Sequence, residues 1–198
     1  YWLKLAAEKG LMKAQYNLAV MFYYGIGCYP DEEQMVFWYK RAAAQGLLEA
    51  QFELGYLRYE GPSHLQDNEE AFYYLKLAAD QNHLAANYYL GLMHLHGKGI
   101  LQDDILALNR FLKAAQQGHL QSQYQVGLMH EEGIGILKDY SQASAWYMLA
   151  ATKNHMEAQH RLGILYAEGK GVVQNYSQAF YWLMSSALQD YVPACYCL

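Results

Sequence analysis

Histidine is the residue type whose number in this chain invites a chemical function, because imidazole binds zinc and transfers protons near neutral pH. The chain has eight histidines. His83, His119 and His155 recur at intervals of 36 residues, which indicates a repeated structural position at a turn. His94 and His130 are also 36 residues apart and could approach each other. Two ligands are too few for a zinc site, which takes three or four, so we predict no metal site.

No arrangement typical of covalent catalysis is present. The chain has no Gly-x-Ser-x-Gly elbow, no phosphate-binding loop and no catalytic Cys/His signature. Gly25-Ile26-Gly27 has copies along the chain, but no strand precedes it, so we interpret it as a turn between helices. Cys28, Cys195 and Cys197 are too few for a disulfide framework. We therefore predict no catalytic residue, no cofactor and no enzymatic activity.

Composition narrows the class of partner. The hydrophobic fraction is 54% and the charged fraction 17%, which is typical of a folded chain. The formal net charge of -5 argues against nucleic acid, since a nucleic-acid binder needs a basic face to neutralise phosphates. No run of 18 or more apolar residues occurs, so we predict no insertion into a membrane.

A period of 36 residues organises the whole chain. All 16 glycines fall into four columns, meaning sets of positions that differ by multiples of 36, and all four tryptophans share another column. Such self-similarity is the signature of a repeat architecture. A small residue opens each copy, at Ala14, Ala50, Ala86, Ser122, Ala158 and Ala194.

Each period contains two helical signals. The first helix carries small and apolar residues at helical spacing, for example over 48–59, and the Gly61 column ends it. A glycine column inside the first helix, exemplified by Gly55, predicts close approach of the partner helix, with an aromatic side chain over the gap. The second helix ends at the Gly46 column, where Asn and Asp also tolerate a left-handed conformation. Second helices begin at N-cap residues, namely Asp31, Asp67, Asp103, Asp139 and Asn175.

The stretch from Ala158 to Trp182 reads A-x3-L-G-x2-Y-x2-G-x-G-V-x2-D/N-x3-A-x2-W. This pattern resembles the Sel-1-like repeats, which are relatives of the tetratricopeptide repeats. The resemblance covers the entire chain. It implies an all-α fold, a right-handed α-solenoid of antiparallel helix pairs with a concave and a convex side. It also implies one solenoid domain over 1–198, divided into a preceding second helix (1–13), five repeats (14–49, 50–85, 86–121, 122–157 and 158–193) and the start of a further repeat (194–198).

The resemblance implies a protein-interaction scaffold or adaptor that binds a peptide or protein segment in its concave groove. By analogy with tetratricopeptide repeats, a stripe of variable residues on the first helices lines that groove. Large aromatic residues beside carboxylates suit a partner of basic and apolar character. A purely solvated face is the alternative. We call the following residues the stripe: Asn17, Tyr24, Glu53, Tyr56, Glu60, Tyr89, Leu92, His96, Gln125, Glu132, Arg161 and Glu168.

Two alternatives to the scaffold remain open at this point. One is a hydrolase or cell-wall-linked enzyme like the cysteine-rich branch of the family, although paired cysteines are absent from this chain. The other is a structural spacer in a larger protein. Both ends lack polar capping helices, so we expect a fragment of a longer array that could associate with itself through those ends. If the source is bacterial, a periplasmic or secreted, host-directed location is a reasonable expectation.

Overall fold

The computed structural model of the protein describes residues 1–196. Every regular element in that range is helical, which confirms the all-α prediction. The helices are α1 (Trp2–Glu8), α2 (Met12–Tyr24), α3 (Glu32–Ala44), α4 (Leu48–Glu60), α5 (Asn68–Asp80), α6 (Leu84–His96), α7 (Asp104–Ala115), α8 (Leu120–Glu132), α9 (Tyr140–Ala151), α10 (Met156–Glu168), α11 (Tyr176–Ala187) and α12 (Val192–Cys195). None of these described helices is long and apolar enough to cross a membrane.

The chain forms two compact units. Unit 1 comprises Tyr1–Met93 and Lys98–Leu101, and unit 2 comprises His94–Gly97 and the residues from Gln102 onward. Within unit 1, each helix from α1 to α5 packs against the next helix in sequence. Within unit 2, the same holds from α7 to α12. Neighbours in sequence are therefore neighbours in space, as a repeat architecture requires.

Small residues and aromatic rings fill the interior of each unit. In unit 1, one buried cluster surrounds Leu18, Trp38 and Leu54, and a second surrounds Leu75 and Leu90. In unit 2, the corresponding cluster includes the ring of Tyr147 and the side chain of Trp182. Alanines recur in all three clusters, because a methyl group lets helix axes approach closely while leaving no polar atom to satisfy.

The second helices begin where the sequence predicts. The side chain of Asp31 accepts a hydrogen bond from the backbone N–H of Gln34 at 2.9 Å, and Asn175 caps Gln178 at 3.0 Å in the same way. Asp67, Asp103 and Asp139 do the same for their own helices. Each cap satisfies an amide of the first turn that has no partner inside the helix.

The turn after each second helix has the predicted left-handed conformation. The φ angles of Gly10, Gly46 and Gly118 lie between 89° and 91°. Asn82, Asn154 and Asp190 stand at the equivalent positions with φ between 61° and 65°. The column is therefore defined by a backbone conformation that glycine, Asn and Asp adopt most readily.

The turn after α4 departs from its copies. Gly25 and Gly133 end α2 and α8 with φ of 68° and 77°, as predicted for that column. Gly61 instead has φ −65° and ψ −178°. The cause is Pro62, whose ring disfavours helical ψ at the preceding residue and holds it extended.

The glycine column inside the first helices brings two helices into close contact, as predicted. A Cβ at Gly127 would lie 2.5 Å from the ring of Tyr147, and one at Gly163 would lie 2.7 Å from Leu183 Cγ. At Gly55 the neighbour is Leu75, at 2.8 Å. Among these three positions, an aromatic side chain covers the gap only at Gly127. Leu75, Tyr147 and Leu183, which cover the three glycines, each lie one residue after a position of the tryptophan column.

A column of buried amides links successive repeats. Gln51 Nε2 donates to the backbone oxygen of Ala43 at 3.2 Å, and Gln81 Nε2 donates to Gln51 Oε1 at 2.7 Å. The same side-chain bond joins Gln45 to Gln15 at 2.6 Å and Gln189 to Gln159 at 2.8 Å. The two glutamines of each pair are 30 residues apart and lie in the same repeat, so each of these bonds joins the first helix of a repeat to the end of its second helix. The bond from Gln51 to Ala43 joins one repeat to the preceding one.

The predicted start of a further repeat over 194–198 falls partly outside the described residues. α12 begins at Val192 and ends at Cys195. Ala194, the small residue of the repeating column, is fully buried. Cys197 and Leu198 lie outside the part of the chain that the structure describes.

Candidate functional site

Unit 1 contains a cavity of about 480 Å³ between α2, α3 and α4. Five tyrosines and two glutamates contribute to its lining, together with apolar residues and the turn after α4. We call this cavity the tyrosine pocket. Its aromatic and acidic residues are Tyr16, Tyr23, Tyr24, Tyr39, Tyr56, Glu53 and Glu60.

Helical spacing brings these side chains together. On α2, Tyr16, Tyr23 and the intervening Val20 are three or four residues apart and therefore share one face. On α4, Glu53 and Glu60 are seven residues apart, which is two turns of helix. α3 packs against both helices and supplies the buried ring of Tyr39.

The rings of the pocket are arranged in contacting pairs. The centroids of Tyr16 and Tyr39 lie 5.7 Å apart, which joins α2 to α3. Tyr23 and Tyr24 meet edge to face at 4.7 Å. Aromatic pairs at these separations stabilise one another beyond the burial of their area. Tyr39 is 5% exposed and Tyr24 is 68% exposed, so the pocket runs from a buried ring to an accessible one.

The carboxylate of Glu53 is half-buried and has no charged partner in the described part of the chain. Burial raises the pKa of Glu53. Among residues 1–196 it makes no hydrogen bond or salt bridge, and neither lysine nor arginine lines the pocket. Burial also raises the pKa of the Tyr39 hydroxyl, and the neighbouring Glu53 carboxylate raises it further. The pocket is therefore an aromatic site of negative potential.

Four of the twelve stripe residues line this pocket, namely Tyr24, Glu53, Tyr56 and Glu60. A fifth, Tyr89, packs against Tyr56 with ring centroids 5.2 Å apart. Asn17 is exposed outside the lining. Leu92 is half-buried and packs against a hydrophobic cluster, so it belongs in part to the core.

Sequence reasoning missed three lining tyrosines. Tyr16 precedes the stripe position of Asn17 by one residue, and Tyr23 precedes Tyr24 by one. Tyr39 lies on a second helix, directly after the tryptophan column. An available signal was the concentration of tyrosine, since four of the 20 tyrosines fall between positions 16 and 39 on lining positions.

The stripe residues of unit 2 have different surroundings. His96 and Glu132 are exposed, and Gln125 is half-buried. Glu168 forms an exposed salt bridge with Lys170 at 2.7 Å. Arg161 is the remaining stripe residue of unit 2, and it belongs to a polar cluster.

The Arg161 guanidinium lies in a cluster that α8, α9 and α10 build in unit 2. Arg161 Nη1 lies 3.5 Å from Glu131 Oε1. The hydroxyl of Tyr147 donates to Glu131 Oε2 at 2.5 Å. Burial raises the pKa of Tyr124, and the nearby charge of Arg161 opposes that rise. Burial raises the pKa of Tyr147, and so do its hydrogen bond to Glu131 and the charge of that carboxylate. We call Tyr124, Glu131, Tyr147 and Arg161 the arginine cluster.

The histidines that recur every 36 residues have a structural role. The Nδ1 atoms of His83, His119 and His155 accept hydrogen bonds from backbone N–H groups three residues later, at 3.2 to 3.4 Å. Burial lowers the pKa of His83 and His155, which favours the neutral form that can accept. Within residues 1–196, no group of three or more His, Cys, Asp or Glu side chains could hold a metal ion.

Comparison with known proteins identifies a repeat family. The Sel1 repeat model matches this chain over residues 1–11, 13–47, 48–83, 84–119, 120–155 and 157–191. A search of curated protein sequences finds no match.

Solved structures show the same fold. A protective antigen present in uropathogenic Escherichia coli strains is 34% identical, with a TM-score of 0.92 over 98% of this chain. This chain spans 41% of the length of that protein. A Sel1 repeat protein from Oxalobacter formigenes is 30% identical, with a TM-score of 0.85 over 93% of this chain and 74% of its own. Cysteine rich protein B of Helicobacter pylori, at 24% identity and a TM-score of 0.52 over 63% of this chain and 94% of its own, resembles it in fold alone.

Proposed function

The chain belongs to the Sel1 repeat family, and from that premise we propose that it is a protein-interaction scaffold whose tyrosine pocket binds a peptide or protein segment. Sel1 repeats commonly form protein-interaction scaffolds, and the family is typically non-enzymatic. The observation that carries the proposal is the pocket itself, where exposed tyrosines surround a half-buried carboxylate that has no cationic partner among the described residues.

The chemistry of the lining supports a peptide partner. Tyrosine is enriched among residues that dominate binding energy, because its ring supplies area at little entropic cost and its hydroxyl can hydrogen-bond. The volume of about 480 Å³ suits one or two side chains of a partner. Glu60 is exposed at the end of α4, where its charge would attract a basic segment before contact.

We propose a role for each remaining stripe residue only within the unit to which it belongs. The ring of Tyr89 packs against the ring of Tyr56, so Tyr89 would act by holding the Tyr56 ring in place. In unit 2, His96, Gln125 and Glu132 are the stripe side chains that carry no salt bridge within residues 1–196. They are the positions where unit 2 would contribute a contact of its own.

Selection from a displayed library of random peptides tests the proposal. Peptides that bind the wild-type protein are measured again with two pocket variants, Tyr24→Ala and Glu60→Lys. The control is Asp80→Lys, which makes the same charge change at an exposed helix end outside the pocket. A cation is compatible with the last turn of both α4 and α5, so folding should be preserved.

The two outcomes are distinct. The proposal expects binding to weaken in both pocket variants and to persist in Asp80→Lys. Selected peptides that bind Tyr24→Ala and Glu60→Lys as tightly as wild type would contradict it. Failure of the library to yield any binder would instead favour a structural spacer.

A further inference from the structure

The tyrosine pocket and the arginine cluster occupy equivalent columns of the repeat. Tyr16 and Tyr124 are 108 residues apart, which is three periods, and so are Tyr39 and Tyr147. The same interval relates Glu53 to Arg161 and Tyr23 to Glu131. Each unit therefore places these four equivalent residues on three packed helices, α2, α3 and α4 in unit 1 and α8, α9 and α10 in unit 2. We call this arrangement of four positions the frame.

In unit 2, a guanidinium lies beside the aromatic pair of this frame. The rings of Tyr124 and Tyr147 lie 5.8 Å apart, close to the 5.7 Å between Tyr16 and Tyr39. In unit 2 the chain supplies its own guanidinium to that frame, from Arg161. The carboxylate of Glu131, 3.5 Å away, neutralises the guanidinium. In unit 2, the frame thus contains an aromatic pair together with a carboxylate and a guanidinium whose charges neutralise each other.

The equivalent site of unit 1 has the aromatic pair and a carboxylate, but no guanidinium of the described residues lines it. Glu53 stands in the Arg161 column, and an aromatic residue, Tyr23, stands in the Glu131 column. In unit 1 the carboxylate therefore comes from α4, the helix equivalent to the one that carries Arg161, and not from the helix equivalent to the one that carries Glu131. No described lysine or arginine lines the pocket, which encloses about 480 Å³.

We propose that the tyrosine pocket binds an arginine side chain of the partner, with its guanidinium paired to the Glu53 carboxylate and packed against the tyrosine rings. The inference rests on the proposed function, because it names the chemistry of the partner at that same site. The partner's arginine would supply to unit 1 the guanidinium that Arg161 supplies to unit 2.

Two physical arguments select a guanidinium over other occupants. An apolar side chain would remove water from Glu53 and return no hydrogen bond, which is costly for a carboxylate. A planar guanidinium can stack on an aromatic face while it donates two parallel hydrogen bonds to a carboxylate. A lysine ammonium can make the ion pair but not the planar stack, and it is more strongly hydrated, so it should bind more weakly.

The test uses a synthetic seven-residue peptide, acetyl-Gly-Ala-Leu-Arg-Leu-Ala-Gly-amide. Matched peptides carry citrulline, lysine or glutamate in place of arginine. Citrulline has nearly the shape of arginine without its charge, so it isolates the ion pair. Affinities are measured by titration with NMR detection on the complete chain. We expect the citrulline peptide to bind about tenfold more weakly than the arginine peptide, the lysine peptide to be intermediate, and the glutamate peptide not to bind.

Protein variants locate the site. Glu53→Gln should weaken the arginine peptide about tenfold and leave the citrulline peptide unchanged. The double variant Tyr23→Glu with Glu53→Arg transfers the charged pair of unit 2 into unit 1, so the chain fills its own pocket and binding is lost. Asp80→Asn is the control, and it should bind like wild type. Circular dichroism checks that each variant is folded.

Each outcome decides a stated point. Equal affinity for the arginine and citrulline peptides, or full affinity in Glu53→Gln, would overturn the arginine proposal. If library-selected peptides still required Tyr24 and Glu60 in that case, the proposed function would stand without it. If selected peptides ignored those two residues as well, both proposals would fall.

Discussion

The guanidinium of Arg161 lies 3.5 Å from the carboxylate of Glu131, which also accepts a hydrogen bond from the buried Tyr147. Unit 2 therefore compensates its half-buried charges internally. Glu53, in the same repeat column as Arg161, has no such compensation in the described part of unit 1. This contrast between equivalent positions is the reason that we assign partner binding to unit 1.

Arg161→Met should destabilise unit 2. The substitution keeps an apolar stem but leaves the Glu131 carboxylate, whose side chain is 15% exposed, without its paired guanidinium. Because Arg161 is partly exposed and the pair is long, we expect a cost of about 1 kcal/mol in the free energy of unfolding. Urea denaturation measures it. Lys170→Ala, which removes an exposed salt bridge to Glu168, is the control and should have no measurable effect.

Glu53→Gln should stabilise the free protein. Burial raises the pKa of Glu53 in the folded state, so the folded protein binds this proton more tightly than the unfolded chain. Wild type therefore loses stability, relative to the variant, as pH rises from the ordinary value of 4.5 through the raised pKa. The gain should be present at neutral pH and should vanish below pH 4.5.

The measurement is urea denaturation of both proteins across that pH range. A stabilised variant that binds the arginine peptide more weakly would show that Glu53 is retained at a cost to stability. A Glu53→Gln protein less stable than wild type at neutral pH would mean that the carboxylate has a favourable partner in the free protein.

Lys153→Gln should also stabilise the protein. Gln123 Nε2 donates to the Ala115 backbone oxygen at 3.1 Å, but Gln123 Oε1 is buried with no hydrogen-bond partner among the described residues. At the equivalent positions, a glutamine 30 residues later donates to that oxygen. Supplying this amide should add about 1 kcal/mol to the free energy of unfolding. Lys153→Ala removes the lysine without supplying a donor, and an equal gain there would refute the explanation.

Gly127→Ala should be more harmful than Gly163→Ala. The new methyl group would lie 2.5 Å from the Tyr147 ring in the first case and 2.7 Å from Leu183 in the second. The Tyr147 ring is fully buried and its hydroxyl is bonded to Glu131, so it cannot move aside as readily as a leucine. We expect a net cost of about 2 kcal/mol for Gly127→Ala and about half that for Gly163→Ala. Thermal unfolding of the two variants provides the comparison, and equal losses would show that the ring is not the obstacle.

Local rules explain why most of the fold is predictable from the sequence. The cap at Asp31 and the left-handed turn at Gly46 depend on a few adjacent residues, so residue type alone indicates them. The exception at Gly61 also has a local cause in Pro62, although the column pattern by itself predicts the left-handed conformation there. The buried glutamine column is visible as well, because Gln15 and Gln51 recur at the same repeat position.

The pocket is predictable only in part, because it depends on how three helices pack. The stripe includes Glu53, whose position on α4 follows from helical spacing. It omits Tyr39, since a second-helix residue reaches the pocket only through the close packing of α3 against α2 and α4. Likewise, sequence patterns indicate that Arg161 differs from Glu53, but only the contact with Glu131 shows what that difference does.

Pairing between Glu53 and an arginine of the partner can be observed at the carboxyl group itself, by following its pKa with carbon-13 NMR in the presence and absence of the arginine peptide. A bound guanidinium beside a carboxylate favours its charged form. We expect a pKa above the ordinary 4.5 in the free protein, a marked fall on saturation with the arginine peptide, and no fall with the citrulline peptide. A Glu53 pKa that stays unchanged when the arginine peptide saturates the protein would show that no guanidinium pairs with this carboxylate.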